Sequence, residues 1–107
     1  MDDTNREDRR LACNLQALSP AQRQRYTELH GELRDGILDV DETPSGYGLR
    51  FAFHVTRVVA LAEYMALEHL CCPFLELTLA IEEDGRVLLH LAGGEGVKTF
   101  LQAALDL

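Results

Sequence analysis

The sequence lacks an excess of basic residues: ten lysines and arginines stand against eighteen acidic residues, and the formal net charge is −8. Binding to the phosphate backbone of a nucleic acid needs a positive surface, as does binding to an anionic membrane. The charge therefore argues against nucleic acid and membrane surfaces as partners. A long apolar run is also missing, because glutamates interrupt the longest hydrophobic stretches, which argues against a bilayer-spanning segment.

A leader with a basic region followed by an apolar one is absent as well, since Met1 is followed by a charged stretch. We therefore expect a cytoplasmic protein, in a compartment that keeps thiols reduced. Residues 1–10 are rich in charge and hold no large apolar residue after Met1, which predicts a disordered N-terminal tail. Residues 11–107 are expected to form a single α+β domain.

Cysteine is scarce and its count is odd. The three residues Cys13, Cys71 and Cys72 cannot all pair within one chain. In a reducing compartment they are expected to be free thiols that bind a metal, take part in redox chemistry or are merely buried. Burial explains the lone Cys13 more readily than it explains an adjacent pair.

The adjacent pair lies in the segment Glu-His-Leu-Cys-Cys-Pro-Phe, residues 68–74, which combines thiols with a carboxylate and an imidazole. Pro73 disfavours helical geometry at Cys72, so a helix arriving through Leu70 should end at Cys71 or just before it. The thiols are then expected at a corner between a helix and a strand, where side chains can converge on one ligand. The sequence therefore predicts a small metal-binding protein rather than an enzyme.

The candidate ligands are Cys71 and Cys72, then Cys13, then Glu68 and His69. A third thiol from Cys13 would make a three-sulfur site, which suits soft ions such as mercury or copper(I). Zinc fits if Glu68 or His69 is the fourth ligand. The same residues allow two alternatives: Glu68 can pair with an arginine or face water, and His69 can be a core residue.

Two other functions use the same cysteines. In a thiol-redox or small enzymatic role the vicinal pair would be reactive, but the end of a helix lacks the N-terminal dipole that lowers a thiol pKa, and Glu68 disfavours a thiolate. In an interaction module the cysteines would be structural only. The serines, histidines and cysteines form no recognisable catalytic triad on sequence alone.

Hydrophobic periodicity predicts three helices and four strands. Ser19 should cap a first helix that begins at Pro20 and ends near Arg34. Alternating apolar residues predict strands over 37–43, 47–55, 75–82 and 86–92, and helices over 57–71, after Thr56 as N-cap, and 95–105. The fold class is α+β: a four-stranded antiparallel sheet built from two tandem β-hairpins, each followed by a helix, with an additional N-terminal helix.

The same patterns assign faces to these elements. In the second helix the apolar arc centres near Val58, Ala62 and Met65, with His69 in its middle and Glu68 at its edge. Inward strand residues are predicted to include Phe53, Val55 and Ile81. The outer sheet face is mixed in character and predicts a homodimer; it comprises Arg50, Ala52, His54, Thr78 and His90.

The chain resembles a family of small uncharacterised bacterial proteins marked by a Glu-x-x-Cys-Cys-Pro-Phe segment. Four stretches carry the resemblance: residues 12–15 before a helix rich in Arg and Glu, 46–51, 68–75 and 91–101. The resemblance associates the chain with heavy-metal resistance and metal-responsive functions.

By the same resemblance, the family positions in this chain are Cys13, Glu68, Cys71 and Cys72. His69 departs from the arginine of the family pattern, and Leu77 departs from an aromatic residue. A role for His69 is therefore less well supported by the resemblance than by the position predicted for it on the helix.

Overall fold

The structure is a computed structural model, and it describes residues 11–107. The fold is α+β, with one four-stranded antiparallel sheet and three α-helices among these residues, as predicted. The elements, in chain order, are a short 3₁₀ turn (Leu15–Ala17), α1 (Pro20–Gly36), β1 (Asp39–Thr43), β2 (Gly46–Phe51), α2 (Val55–Cys71), β3 (Glu76–Ile81), β4 (Val87–Ala92) and α3 (Val97–Ala104). The tail predicted for residues 1–10 lies outside the described residues.

The sheet has the strand order β1-β2-β4-β3, and every neighbouring pair is antiparallel. Each hairpin is therefore formed by consecutive strands, and the pairing of β2 with β4 joins the two hairpins at the centre of the sheet. The central strands bury their inward side chains against the helices, and these residues are Tyr47, Leu49, Phe51, Val87, Leu89 and Leu91. The two tandem hairpins predicted from the alternating pattern are confirmed.

The start of α1 is fixed by local chemistry. Ser19 Oγ accepts a hydrogen bond from the Gln22 backbone N–H at 3.2 Å, and Gln22 Oε1 accepts one from the Ser19 N–H at 2.8 Å. This reciprocal capping box, with Pro20 at the first helical position, satisfies two of the free N–H groups of the helix start. The helix buries Leu29 and Leu33, and it ends at Gly36, close to the predicted end near Arg34.

The boundary between β2 and α2 differs from the prediction. The strand ends at Phe51, and α2 begins at Val55 with His54 at the N-cap, so Thr56 lies inside the helix. Phe51 is paired with Val87, the first residue of β4, and the ladder has no partner for the residues that follow. The alternating pattern continues past this point, and the predicted inward positions of Phe53 and Val55 are wrong, because both side chains are exposed.

The buried face of α2 also differs from the predicted arc. Ala62 and His69 are exposed, and the buried residues are Leu61, Tyr64, Leu67, Glu68 and Cys71. The predicted arc has Glu68 only at its edge, whereas the structure buries this residue, so the buried face is rotated relative to the predicted arc. The glutamate instead lies on the face that packs against α1 and the 3₁₀ turn.

The predicted outer and edge residues need two further corrections. Ala52 and His54 lie beyond the end of β2 and are not part of the outer sheet face, where Arg50 forms ion pairs with Asp41 and Glu82. Ile81 was predicted to face inward, but it is exposed at the end of β3, an edge strand with a neighbour on one side only. Among the described residues, none of the helices combines the length and the apolar content that a bilayer crossing needs.

Candidate thiol and carboxylate site

The adjacent cysteines lie at the C-terminal end of α2, as the proline predicted. Cys71 is the last residue of the helix, and Cys72 leaves it with φ −129° and ψ 66°. The Cys72 backbone N–H still donates to the Glu68 carbonyl oxygen at 2.7 Å, which satisfies one carbonyl of the final turn. The Cys72 side chain therefore points in a direction that a continuing helix would not allow. As a result, the sulfurs of Cys71 and Cys72 lie at the same site.

Cys13 reaches this site from the segment before α1. The Asn14 backbone N–H donates to the Cys71 carbonyl oxygen at 2.8 Å, and this contact fixes the segment to the end of α2. Leu18, at the end of the same segment, is buried in the core. The position of Cys13 is therefore determined by a backbone hydrogen bond and by apolar packing as well as by its own sulfur.

The sulfurs of Cys13 and Cys72 lie within disulfide bonding distance, and their Cα atoms are 4.7 Å apart. The expectation of three free thiols is therefore wrong for these two residues. Cys71 remains a free, fully buried thiol, and its Sγ lies 3.6 Å from the Sγ of Cys72.

Glu68 supplies a carboxylate to the same place. Its side chain is 3% exposed, and its Oε1 lies 2.9 Å from Cys72 Sγ and 3.9 Å from Cys13 Sγ. The Tyr26 hydroxyl donates to both carboxylate oxygens, at 3.1 and 3.3 Å. No ion pair between residues of the range 11–107 includes Glu68. Burial therefore raises the pKa of Glu68, although the neighbouring hydroxyls of Tyr64 and Tyr26 oppose the rise.

Four of the five predicted site residues are brought together. One ligand atom from each of Cys13, Glu68, Cys71 and Cys72 lies within 4.8 Å of the others, and three of these residues are buried. His69 is the exception, because its side chain is exposed and lies outside the group. With Cys13 and Cys72 reduced, the three sulfurs and one carboxylate would match the number and the type of donors that a tetrahedral thiophilic ion uses.

The free thiol is held in its protonated form. Burial, with the Glu68 carboxylate as a second cause, raises the pKa of the Cys71 thiol to about 11. A protonated thiol is a poor nucleophile, so Cys71 is poorly suited to attack the neighbouring disulfide. A bound cation would reverse this, since it stabilises a thiolate directly.

Two tyrosines complete the site, and their role in it was not predicted. Tyr26 of α1 stacks on Tyr64 of α2, with ring centroids 5.6 Å apart and ring planes 7° apart. Burial raises the pKa of both hydroxyls, and that of Tyr26 donates to the carboxylate as a neutral group. One signal was present in the sequence: Tyr64 precedes Glu68 by four residues and therefore lies on the same stripe of the helix.

No protein-family model, no curated protein and no solved structure matches this chain. The resemblance to the family with the Glu-x-x-Cys-Cys-Pro-Phe segment therefore stays a prediction. Its four family positions, Cys13, Glu68, Cys71 and Cys72, are the four residues that meet in the structure. The function is consequently inferred from the geometry of the site.

Proposed function

We propose that the protein, in its reduced form, binds one thiophilic metal ion through the thiolates of Cys13, Cys71 and Cys72 and the carboxylate of Glu68. The observation that carries this proposal is the convergence of these four donors within 4.8 Å at the buried end of α2. Zinc is the ion with the widest supply, and mercury(II) and copper(I) are the soft ions that a three-sulfur site suits.

The electrostatics of the site support a cation. Glu68 is a buried acidic group beside three sulfurs, and the hydroxyl of Tyr26 donates a hydrogen bond to it. Burial of a carboxylate is costly, and it raises the pKa of Glu68. A divalent cation would stabilise the carboxylate and the thiolates at once, because each negative ligand offsets part of its charge.

The distances also support one shared ion. Two thiolates bound at about 2.3 Å to a tetrahedral zinc lie about 3.7 Å apart. The sulfurs of Cys71 and Cys72 are already 3.6 Å apart. The pair therefore needs little rearrangement to bind as two ligands, while Cys13 must first be released from its bond to Cys72.

We propose that the protein acts in the cytoplasm, where thiols are kept reduced, and that it takes part in metal handling or resistance. A thiol-redox role is the second candidate, since a disulfide lies 3.6 Å from a free thiol. The raised pKa of Cys71 counts against that candidate, because disulfide exchange needs an accessible thiolate.

The test is a titration of the reduced, chelator-treated protein with zinc and with a mercury(II) salt, followed by thiolate absorbance. We expect one ion per chain with saturable binding, and proton release on binding because the thiols must ionise. The double variant Cys71→Ser/Cys72→Ser should lose the ion and keep its fold, since Leu and Phe residues of the strands form most of the core. The control is His69→Ala, which changes an exposed neighbour and should bind normally.

Absence of saturable binding to both ions would reject the metal site. If the thiols were only structural, the wild type would hold no stoichiometric metal, and the double variant would lose stability without any change in metal content.

A further inference from the structure

We infer that the Cys13–Cys72 pair is a redox gate on this metal site, so that the dithiol form binds the ion and the disulfide form excludes it. This inference rests on the proposed function and adds its regulation. The pair is the feature of the site that metal binding alone leaves unexplained, since two of the four proposed ligands are within bonding distance of each other.

The disulfide form has fewer metal ligands than the dithiol form. Oxidation of Cys13 and Cys72 removes two thiolates and leaves Cys71 and Glu68. Structural zinc sites use four protein ligands, and catalytic sites use three. Two remaining ligands are fewer than either kind of zinc site uses. The site can therefore hold the disulfide or the bound ion, but not both.

The Glu68 carboxylate also interacts differently with the two forms. Glu68 Oε1 lies 2.9 Å from Cys72 Sγ, but a sulfur in a disulfide carries no proton to donate. In the dithiol form the Cys72 thiol can donate to this oxygen, and in the metal form both groups bind the cation. The carboxylate therefore stabilises the dithiol and metal-bound forms more than it stabilises the disulfide form.

The segment that carries Cys13 is held in place by contacts other than the disulfide. The hydrogen bond between Asn14 N–H and the Cys71 carbonyl, together with the buried Leu18, holds the Cys13 segment at the end of α2 whether or not the sulfurs are bonded. Reduction therefore leaves Cys13 beside the other donors. Cys13 is half-buried whereas Cys72 is fully buried, so a small reagent reaches the pair through Cys13.

The reaction is thiol–disulfide exchange with a low-molecular-weight disulfide as oxidant. The Cys13 thiolate attacks one sulfur of the oxidant, and the first half of the oxidant leaves as a thiolate. The Cys72 thiolate then attacks the Cys13 sulfur, which forms the Cys13–Cys72 bond and releases the second half. Two electrons pass from the protein to the oxidant, each released thiolate takes a proton, the ion leaves, and the Cys71 thiolate takes a proton from water.

The experiment treats zinc-loaded full-length protein with glutathione disulfide in the presence of a chromophoric zinc chelator. We expect release of one zinc per chain while the free thiols fall from three to one. The isolated disulfide form should bind zinc at least about 100-fold more weakly than the dithiol form, because loss of one outer-shell group alone costs about 10- to 100-fold. Equal affinities in the two forms would overturn the gate.

Two variants separate the gate from the site. Cys13→Ser keeps three donors, so it should bind zinc more weakly than the wild type and should not release it through this disulfide. If glutathione disulfide accelerates zinc release from Cys13→Ser as much as from the wild type, each compared with the same protein without oxidant, the gate is overturned. Cys71→Ser should still form the Cys13–Cys72 bond, as seen by peptide mapping, and failure to form it would also overturn the gate. If reduced wild-type protein binds no zinc, the proposed function fails instead, and that result is seen before any oxidant is added.

Discussion

The two ends of α2 are opposite in character. At its N-terminal end the apolar side chains of Phe53, Val55 and Val59 are 47%, 70% and 62% exposed, while at its C-terminal end Glu68 is 3% exposed and Cys71 is fully buried. The usual distribution places large apolar groups inside and acidic groups outside. Among residues 11–107 the apolar groups of one end are left in solvent, while the acidic group of the other end is buried beside the three sulfurs of the proposed metal site.

The largest expected effect comes from removing a ligand at the buried end. Cys72→Ser should weaken zinc binding by the reduced protein by more than about 100-fold, because it removes a direct ligand rather than a supporting group. Val59→Ser, at the other end of the same helix, is the matched control and should leave zinc affinity unchanged. Competition with a chromophoric chelator measures both, and similar losses in the two variants would mean that the helix as a whole, not the site, was disturbed.

The hydrogen bond from Tyr26 to Glu68 gives the second prediction. Tyr26→Phe removes the donor shared by both carboxylate oxygens and keeps the stack on Tyr64, so it should lower the unfolding free energy of the metal-free protein by about 1–3 kcal/mol. Urea unfolding provides the measurement. The control is Tyr47→Phe on the central strand β2, which removes a hydroxyl that has no side-chain hydrogen bond to the Glu68 site, and it should lower the unfolding free energy by less than Tyr26→Phe does. Equal effects of the two changes would contradict a special role for the carboxylate contact.

Glu68→Gln should change how stability depends on pH in the reduced, metal-free protein. Burial raises the folded-state pKa of Glu68 above its ordinary value of 4.5. As the pH rises past the unfolded-state pKa, the unfolded chain releases this proton and the folded protein retains it, so the wild type loses stability until the pH exceeds the folded-state pKa.

Glutamine does not titrate, so Glu68→Gln should be free of that loss. The stability of the wild type relative to the variant should therefore decrease from acid to neutral pH, as measured by urea midpoints across that range with reductant and chelator present. A difference that stays constant with pH would show that Glu68 titrates normally.

The smallest effect is expected at the exposed end. Val55→Ser/Val59→Ser removes side chains that are mostly in solvent, so the unfolding free energy should change by less than about 0.5 kcal/mol. The homodimer, which the sequence predicts through the outer sheet face, is checked separately by light scattering on the wild type. A wild-type particle at the single-chain mass of 12.0 kDa, at high concentration, would remove the dimer prediction.

Much of the fold could be predicted because local rules decide it. Ser19 and Pro20 define the start of α1, and the apolar alternation through Val87, Leu89 and Leu91 defines a strand that is buried as predicted. The end of β2 could not be predicted, because it depends on where β4 stops offering partners. The alternating pattern therefore extended the strand to Val55, which is in fact the first residue of α2.

The sequence predicts which residues form the site better than it predicts how they are arranged. Pro73 placed the thiols at the end of a helix, and four of the five candidate ligands converge there. The pairing of Cys13 with Cys72 spans 59 positions and is produced by tertiary packing, which no local pattern contains. The predicted position of His69 on the apolar face is wrong, because the buried face of the helix includes Glu68 and leaves the next residue exposed.

The separation of 59 residues between Cys13 and Cys72 has a consequence for the unfolded chain. A cross-link across a segment of that length lowers the conformational entropy of the unfolded state, and in the chain-entropy model this is worth about 4 kcal/mol. A metal ion held by the same two residues would close the same ring, which contains α1, β1, β2 and α2 and leaves β3, β4 and α3 outside it. Exchange of the disulfide for the metal ion would then change the chemistry of the site. The chain would still be closed between the same two residues, so the unfolded state would still be restricted and the fold would keep this stabilisation.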